Sequence, residues 1–210
     1  MTHFTAFLRR VLLALTLASC AGAALADPTP SYNVSIDTSS FTGSGYIDLT
    51  FLAFQGAPAA TATLTSFNGA FGAMVSTDGD VTGAIPNTVV FGNGGGYNDL
   101  FHVIAFGGTL GFHVTFGGAF LTTPSDVTST FSVGVLNDQM NYVGNANGVV
   151  AQFDLQSPGV NGPATVTPSV SGNIAAISAV PEPSCLAMLA LGLVLVGAVG
   201  RRRASRAFQA

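Results

Sequence analysis

The chain of 210 residues contains no lysine, and its six arginines stand only at its ends, at Arg9, Arg10, Arg201, Arg202, Arg203 and Arg206. Between residues 11 and 200 there is no basic side chain other than His102 and His113. Nucleic-acid binding rests on neutralising phosphates, so that class is excluded for the body. Phosphorylated substrates lack their usual Arg or Lys clamp for the same reason. Tryptophan is absent, and the one glutamate is Glu182. Nine aspartates lie in residues 27–180, so that stretch is formally −9 where the whole chain is −4. Such a balance describes an acidic, solvated surface. The two cysteines, Cys20 and Cys185, lie near the ends, so residues 27–180 hold no disulfide.

What is present begins with two apolar segments. Arg9 and Arg10 precede the run Val11–Ala18, a charged region followed by a short greasy one, as in a secretory signal peptide. Ala24-Leu25-Ala26 before Asp27 is an A-x-A site for signal peptidase, making residues 1–26 the leader. Leu17-Ala18-Ser19-Cys20 is the competing site, a lipobox that would place a lipid on Cys20. The continuing small residues and Pro28 favour cleavage after Ala26.

At the other end, Pro181-Glu182-Pro183 precedes an uncharged run from Cys185 to Gly200, and Arg201, Arg202, Arg203 and Arg206 follow. Sixteen helical residues span about 24 Å against a bilayer core of about 30 Å, a mismatch that flanking residues or local thinning closes. Arginines on one side hold that end in the cytoplasm. By itself this reads as a C-terminal membrane anchor. The two prolines stiffen the chain around Glu182 and favour an extended, accessible form. Residues 180–206, with a transmembrane helix over 185–200, closely resemble the PEP-CTERM sorting tail of Gram-negative surface proteins. The resemblance implies recognition by exosortase, a membrane transpeptidase, and processing of the tail, with the protein membrane-anchored until then. It implies export through the inner membrane to the cell surface or extracellular matrix.

The body reads as all-β. Tyr32, Val34 and Ile36 alternate with Asn33, Ser35 and Asp37, and Ile47, Leu49 and Phe51 alternate with Asp48 and Thr50. Further alternating runs cover 62–67, 71–75, 88–91, 100–106, 110–116, 130–136, 149–155 and 164–170. Gly-, Asn-, Pro- and Ser-rich stretches such as Gly92–Gly96 and Gly144–Gly148 separate them. This predicts eight to ten strands in two antiparallel sheets, a β-sandwich or jelly-roll-like domain over 27–160. Residues 161–179 read as a terminal strand fading into a Pro-containing spacer. The 154 residues from 27 to 180 suffice for one domain that buries about 70% of its unfolded surface. Tyr32–Ser39 with Gly45–Asp48, and Asn98–Phe101 with the Phe-rich strands after it, resemble a group of small PEP-CTERM proteins of unassigned function.

Two constellations are candidates for binding. Leu100–Phe106, Gly107-Gly108 and Thr109–Phe116 read as a hairpin with a two-residue turn. That register sets His102 opposite His113, with Phe101, Val103 and Ala105 facing the core. The pair is either a two-histidine metal or pH-sensitive site or two polar residues on a wet sheet face. Asp78-Gly79-Asp80, with Asn98, Asp99 and Asp37, is either a calcium-type oxygen cluster or an Asx-rich turn. The spacing is not that of an EF-hand. No cofactor is otherwise expected.

Catalytic motifs are missing. The body has no glutamate, no Gly-x-Ser-x-Gly elbow and no glycine loop between strand and helix. The expected roles are a structural or adhesive part of an exopolysaccharide or biofilm matrix, then a carbohydrate-binding module, then a secreted hydrolase. The partners are signal peptidase, exosortase, the membrane and exopolysaccharide, with no nucleic acid.

Overall fold

The computed structural model describes residues 29–159 and 162–180. The expected signal peptide, with Ala24, Ala26, Asp27 and Cys20, lies outside the described residues. So do the sorting residues Pro181, Glu182, Pro183, Arg201, Arg202 and Arg203 and the expected helix over 185–200.

Alternation of apolar and polar side chains is converted into strands throughout. The strands are β1 (Ser31–Asp37), β2 (Ser44–Ala53), β3 (Thr61–Asn68), β4 (Phe71–Asp78), β5 (Val81–Gly83) and β6 (Val89–Gly92). They continue with β7 (Tyr97–Ala105), β8 (Thr109–Gly117), β9 (Ser129–Asn137), β10 (Val149–Gln156), β11 (Thr165–Val170) and β12 (Ala175–Ala179). A single 3-10 turn, Ala119–Leu121, interrupts them. Two antiparallel six-stranded sheets result. The first runs β12-β1-β8-β3-β6-β5 and the second β11-β10-β9-β2-β7-β4. Twelve strands exceed the eight to ten expected. The additions are β5, only three residues long, and β12, whose Ala-rich sequence carries little apolar contrast.

Both sheets bury one face in a common core. Phe51, Phe91, Phe116, Phe131 and Phe153 are fully buried. Phe131 on the second sheet meets Phe91 at 5.5 Å and Phe116 at 6.1 Å from the first, at 73° and 65°, the edge-on geometry that ring quadrupoles favour. Phe116 also meets Phe153 at 5.1 Å. Each such side chain contributes about 1.5–3 kcal/mol through burial, so this cluster ties the sheets together without a disulfide. The Tyr32 hydroxyl adds a polar tie, donating to the Val166 carbonyl at 3.0 Å.

The expected hairpin does not form. β7 pairs with β2 and β4 in the second sheet, while β8 pairs with β1 and β3 in the first. Gly107-Gly108 is a corner between the sheets. Buried Thr38 secures it: its hydroxyl and its N–H both reach the Gly108 carbonyl, at 2.7 and 2.9 Å, and its carbonyl accepts from Gly107 N–H at 3.1 Å. Gly107 has φ 98°, a conformation other residues rarely take. The strand phase explains the rest. Asp99 shares parity with Phe101 and Val103, so turning that set inward would bury a carboxylate. The structure instead buries Asn98, Leu100, His102 and Ile104 and turns Tyr97, Asp99, Phe101 and Val103 outward. On β8, Leu110, Phe112, Val114 and Phe116 are buried.

Residues 161–179 carry two strands in place of a strand and a spacer. β11 pairs with β10, and β12 pairs with β1 in the other sheet. Ile174, between them, is 7% exposed within the core.

Candidate functional site

The two outer faces differ in charge. Outward residues of the first sheet are mostly hydroxyl-bearing: Ser31 opposes Thr115, which opposes Thr63, and Ser31 and Thr115 hydroxyls lie 3.2 Å apart. Its one outward carboxylate is Asp37, at the end of β1. Asp37 is held below the usual carboxylate range by Ser39, whose N–H donates at 2.9 Å. The second sheet carries Asp48, Asp78, Asp99 and Asp154 on its outer face.

Strand register arranges these residues in rows. One row runs Asp78, Asp99, Thr50, Ser132, Gln152, Ser169 and crosses all six strands of the second sheet. At about 4.8 Å per strand it is about 24 Å long. The row on one side runs Ser76, Phe101, Asp48, Gly134, Val149. The row on the other side runs Tyr97, Leu52, Thr130, Asp154, Thr167. Asp154 accepts from Thr130 at 2.9 Å and from Gln152 at 2.9 and 3.1 Å. Asp48 accepts from Thr50 at 3.0 Å.

Asp48 and Asp99 are diagonal neighbours in this register. Burial, a hydrogen bond to the Asp48 carboxyl and the charges of Asp48 and Asp78 raise the Asp99 carboxyl from its ordinary 3.8 to about 7. Asp99 Oδ1 is buried without a hydrogen-bond partner, so a proton on Asp99 spares an uncompensated buried charge. Two carboxylates this close cannot both ionise cheaply.

Aromatic side chains frame the carboxylates. Tyr46 stacks on Phe101 at 4.9 Å and 16°. Tyr97 is 51% exposed and Tyr142 is 50% exposed. Burial, with Asp99, Asp48, Asp78 and Tyr142 around it, pushes the Tyr97 hydroxyl up. Gly134 is buried between Asp48 and Tyr142: a Cβ there would stand 3.1 Å from the Gly148 carbonyl oxygen, 3.4 Å from the Asp48 Cβ and 3.8 Å from the Tyr142 ring. The face therefore offers carboxyl, hydroxyl and amide groups between two half-exposed rings.

The histidines expected to face one another stand on different sheets. His102 is buried on the inner face, its ring edge-on to Phe71 at 6.1 Å and its Nδ1 3.1 Å from the Val103 carbonyl oxygen. His113 is half-buried on the outer face of the first sheet, with Nδ1 3.5 Å from the Thr65 hydroxyl. The turn aspartates also separate. Asp78 pairs with Asp99 on the outer face and caps Gly79 N–H at 2.8 Å. Asp80 lies against Gly92 and Gly94. Asn98 is fully buried, accepting from Asp80 N–H at 2.7 Å and donating to the Phe51 carbonyl at 3.0 Å. Its amide fastens the turn to the sheet. Asp37 stands on the first sheet, away from this group. Among the described residues no three metal-ligating side chains converge.

The sequence reading missed Asp48 with Asp99. The two lie 51 positions apart, and only the pairing of β2 with β7 unites them. The signal available was parity: Tyr97, Asp99 and Phe101 alternate in the same phase as Tyr46, Asp48 and Thr50.

Residues 179–203 match the PEP-CTERM protein-sorting motif. No curated protein and no solved structure matches the chain. The motif implies recognition by an exosortase and sorting to the surface of a Gram-negative cell. The chain thus carries a PEP-CTERM protein-sorting motif behind an acidic body whose described residues are all-β.

Proposed function

We propose that the mature body is a structural or adhesive component of the exopolysaccharide matrix, released from its tail after sorting. The observation that carries this reading is the sorting motif at 179–203 on a body with nine aspartates and no lysine or arginine. A surface-sorted domain with that charge resists nonspecific contact with acidic polymers and stays soluble at high local concentration. Binding or scaffolding work fits it better than catalysis. The body carries no glutamate, so a glutamate pair of the kind glycosidases use is missing from it. No metal or other cofactor enters this reading. Labelling of intact cells with an antibody to the body tests it. Wild type stains, and a variant lacking residues 180–206 stays unstained. Equal staining of both would refute it.

A second reading, a glycan-binding module, is favoured by the outer face of the second sheet. Tyr97 and Tyr142 present rings on which sugar CH faces can stack, and the row from Asp78 to Ser169 offers acceptors and donors for sugar hydroxyls. The carboxylates select a polysaccharide without acid groups. Calorimetric titration with neutral and uronate-containing polysaccharides checks this. Binding of the neutral class, weakened roughly tenfold by Tyr97→Ala with Tyr142→Ala, supports it. Equal binding of both classes, or indifference to the double substitution, contradicts it.

A further inference from the structure

The sorting motif begins inside the folded sheet. The match starts at residue 179, and Ala179 is the last residue of β12. β12 runs antiparallel to β1, with Tyr32 opposite Ala179, Asn33 opposite Ser178 and Ser35 opposite Ala176. One step further, Val180 N–H donates to the Ser31 carbonyl at 2.9 Å. Pro30 is fixed as well: its carbonyl accepts from Phe116 N–H at 2.9 Å. The chain therefore enters the body at the start of β1 and leaves it at the end of β12, at neighbouring points on one edge of one sheet.

This leaves little slack. Only Pro181–Ser184, four residues, separate Val180 from the apolar run that starts at Cys185. Fully extended they reach about 14 Å. An enzyme that reads Pro-Glu-Pro therefore meets it within three residues of a hydrogen-bonded strand end. The arrangement also frees folding from processing. All strands through β12 lie ahead of Pro181-Glu182-Pro183, and the entry and exit points are neighbours, so both ends can stay attached while the sheets close.

We infer that the sandwich completes its fold while the sorting tail is still attached, and that docked β12, rather than a free linker, presents the motif for processing. The second half rests on the reading that the tail is removed after sorting.

Residues 27–180 contain no cysteine and Cys20 leaves with the leader, so with Cys185→Ser in every chain an engineered pair reports cleanly. Register partners Asn33→Cys with Ser178→Cys, and separately Ser35→Cys with Ala176→Cys, place thiols on adjacent strands at about 5.5 Å between Cα atoms, within disulfide reach. Both pairs are placed in the full-length chain, with single-cysteine chains as controls. Thiol alkylation and non-reducing gels then follow tail-bearing and tail-free forms over time in an oxidising cell envelope. The expected result is a disulfide already present in the tail-bearing form, and tail removal at the rate of the controls. Thiols that stay alkylatable until the tail is lost would overturn the first half. A cross-linked form that accumulates with its tail would overturn the second, since it would mean that β12 must peel away. Failure of both pairs to oxidise in purified body would overturn the β1–β12 docking itself. A tail retained by wild type as well would refute processing, leaving the disulfide readout to decide the folding claim alone.

Discussion

Asp99→Asn isolates the energetic consequence of the carboxyl pair on the second sheet. Asp99 is raised from 3.8 to about 7, chiefly by burial and then by Asp48. Below about 3.8 the folded and unfolded chains both hold the Asp99 proton. Between 3.8 and about 7 only the folded chain holds it, so stability falls as pH rises through that window and levels off above it. At 1.36 kcal/mol per pH unit the ceiling is about 4 kcal/mol. The group is half-buried and water screens it, which leaves about 1–2 kcal/mol. Asparagine matches the protonated carboxyl in size and cannot ionise. Urea unfolding of the purified body at pH 5 and pH 8.5 reads the effect. Wild type should lose about 1–2 kcal/mol more than Asp99→Asn between the two pH values, and the variant should be the more stable at pH 8.5. For a body of this size the gap corresponds to about 3–6 °C in Tm. Asp37 titrates below its ordinary 3.8 and lies outside this range. Identical pH slopes for the two proteins would refute the account of Asp99 as the group that holds its proton in the fold.

Phe131 contacts Phe51, Phe91, Phe116 and Phe153, so Phe131→Ala should cost about 3–5 kcal/mol in chemical denaturation. Asn93 accepts from Ala60 N–H at 2.9 Å and donates to the Pro58 carbonyl at 2.8 Å and the Ser129 hydroxyl at 3.0 Å, all behind the surface. Asn93→Ala should therefore destabilise by about 2–4 kcal/mol, read the same way. Raising ionic strength from 0.01 to 0.15 M should raise the Tm of the body by about 2–4 °C as aspartate repulsion is screened, with millimolar divalent cations acting in the same direction. A Tm indifferent to both would show that the carboxylates are too far apart to interact.

Much of the architecture was legible because the alternation is strong. Ile47, Leu49 and Phe51 against Asp48 and Thr50 leave one phase for β2, and that phase is observed. β7 was ambiguous because each parity set mixes apolar and polar residues: Asn98 and His102 on one side, Asp99 on the other. The cost of burying a charge decided it, a comparison that local pattern counting does not make. Gly107-Gly108 suits a tight hairpin turn locally, yet each flanking strand finds two partners elsewhere. Turn chemistry fixes a corner's conformation without fixing which sheet comes next. The carboxyl pair depends on β2 lying beside β7, a non-local pairing that sequence spacing does not encode. The sorting motif was legible in full because its recognition depends on contiguous residues and not on a fold.

The intact mass of the protein recovered from the surface of native cells tests the central claim most directly. The account predicts a chain starting at Asp27 and ending near Pro181–Pro183, an acidic body free of arginine and cysteine. A mass that still includes the apolar run and Arg201–Arg206 would contradict it.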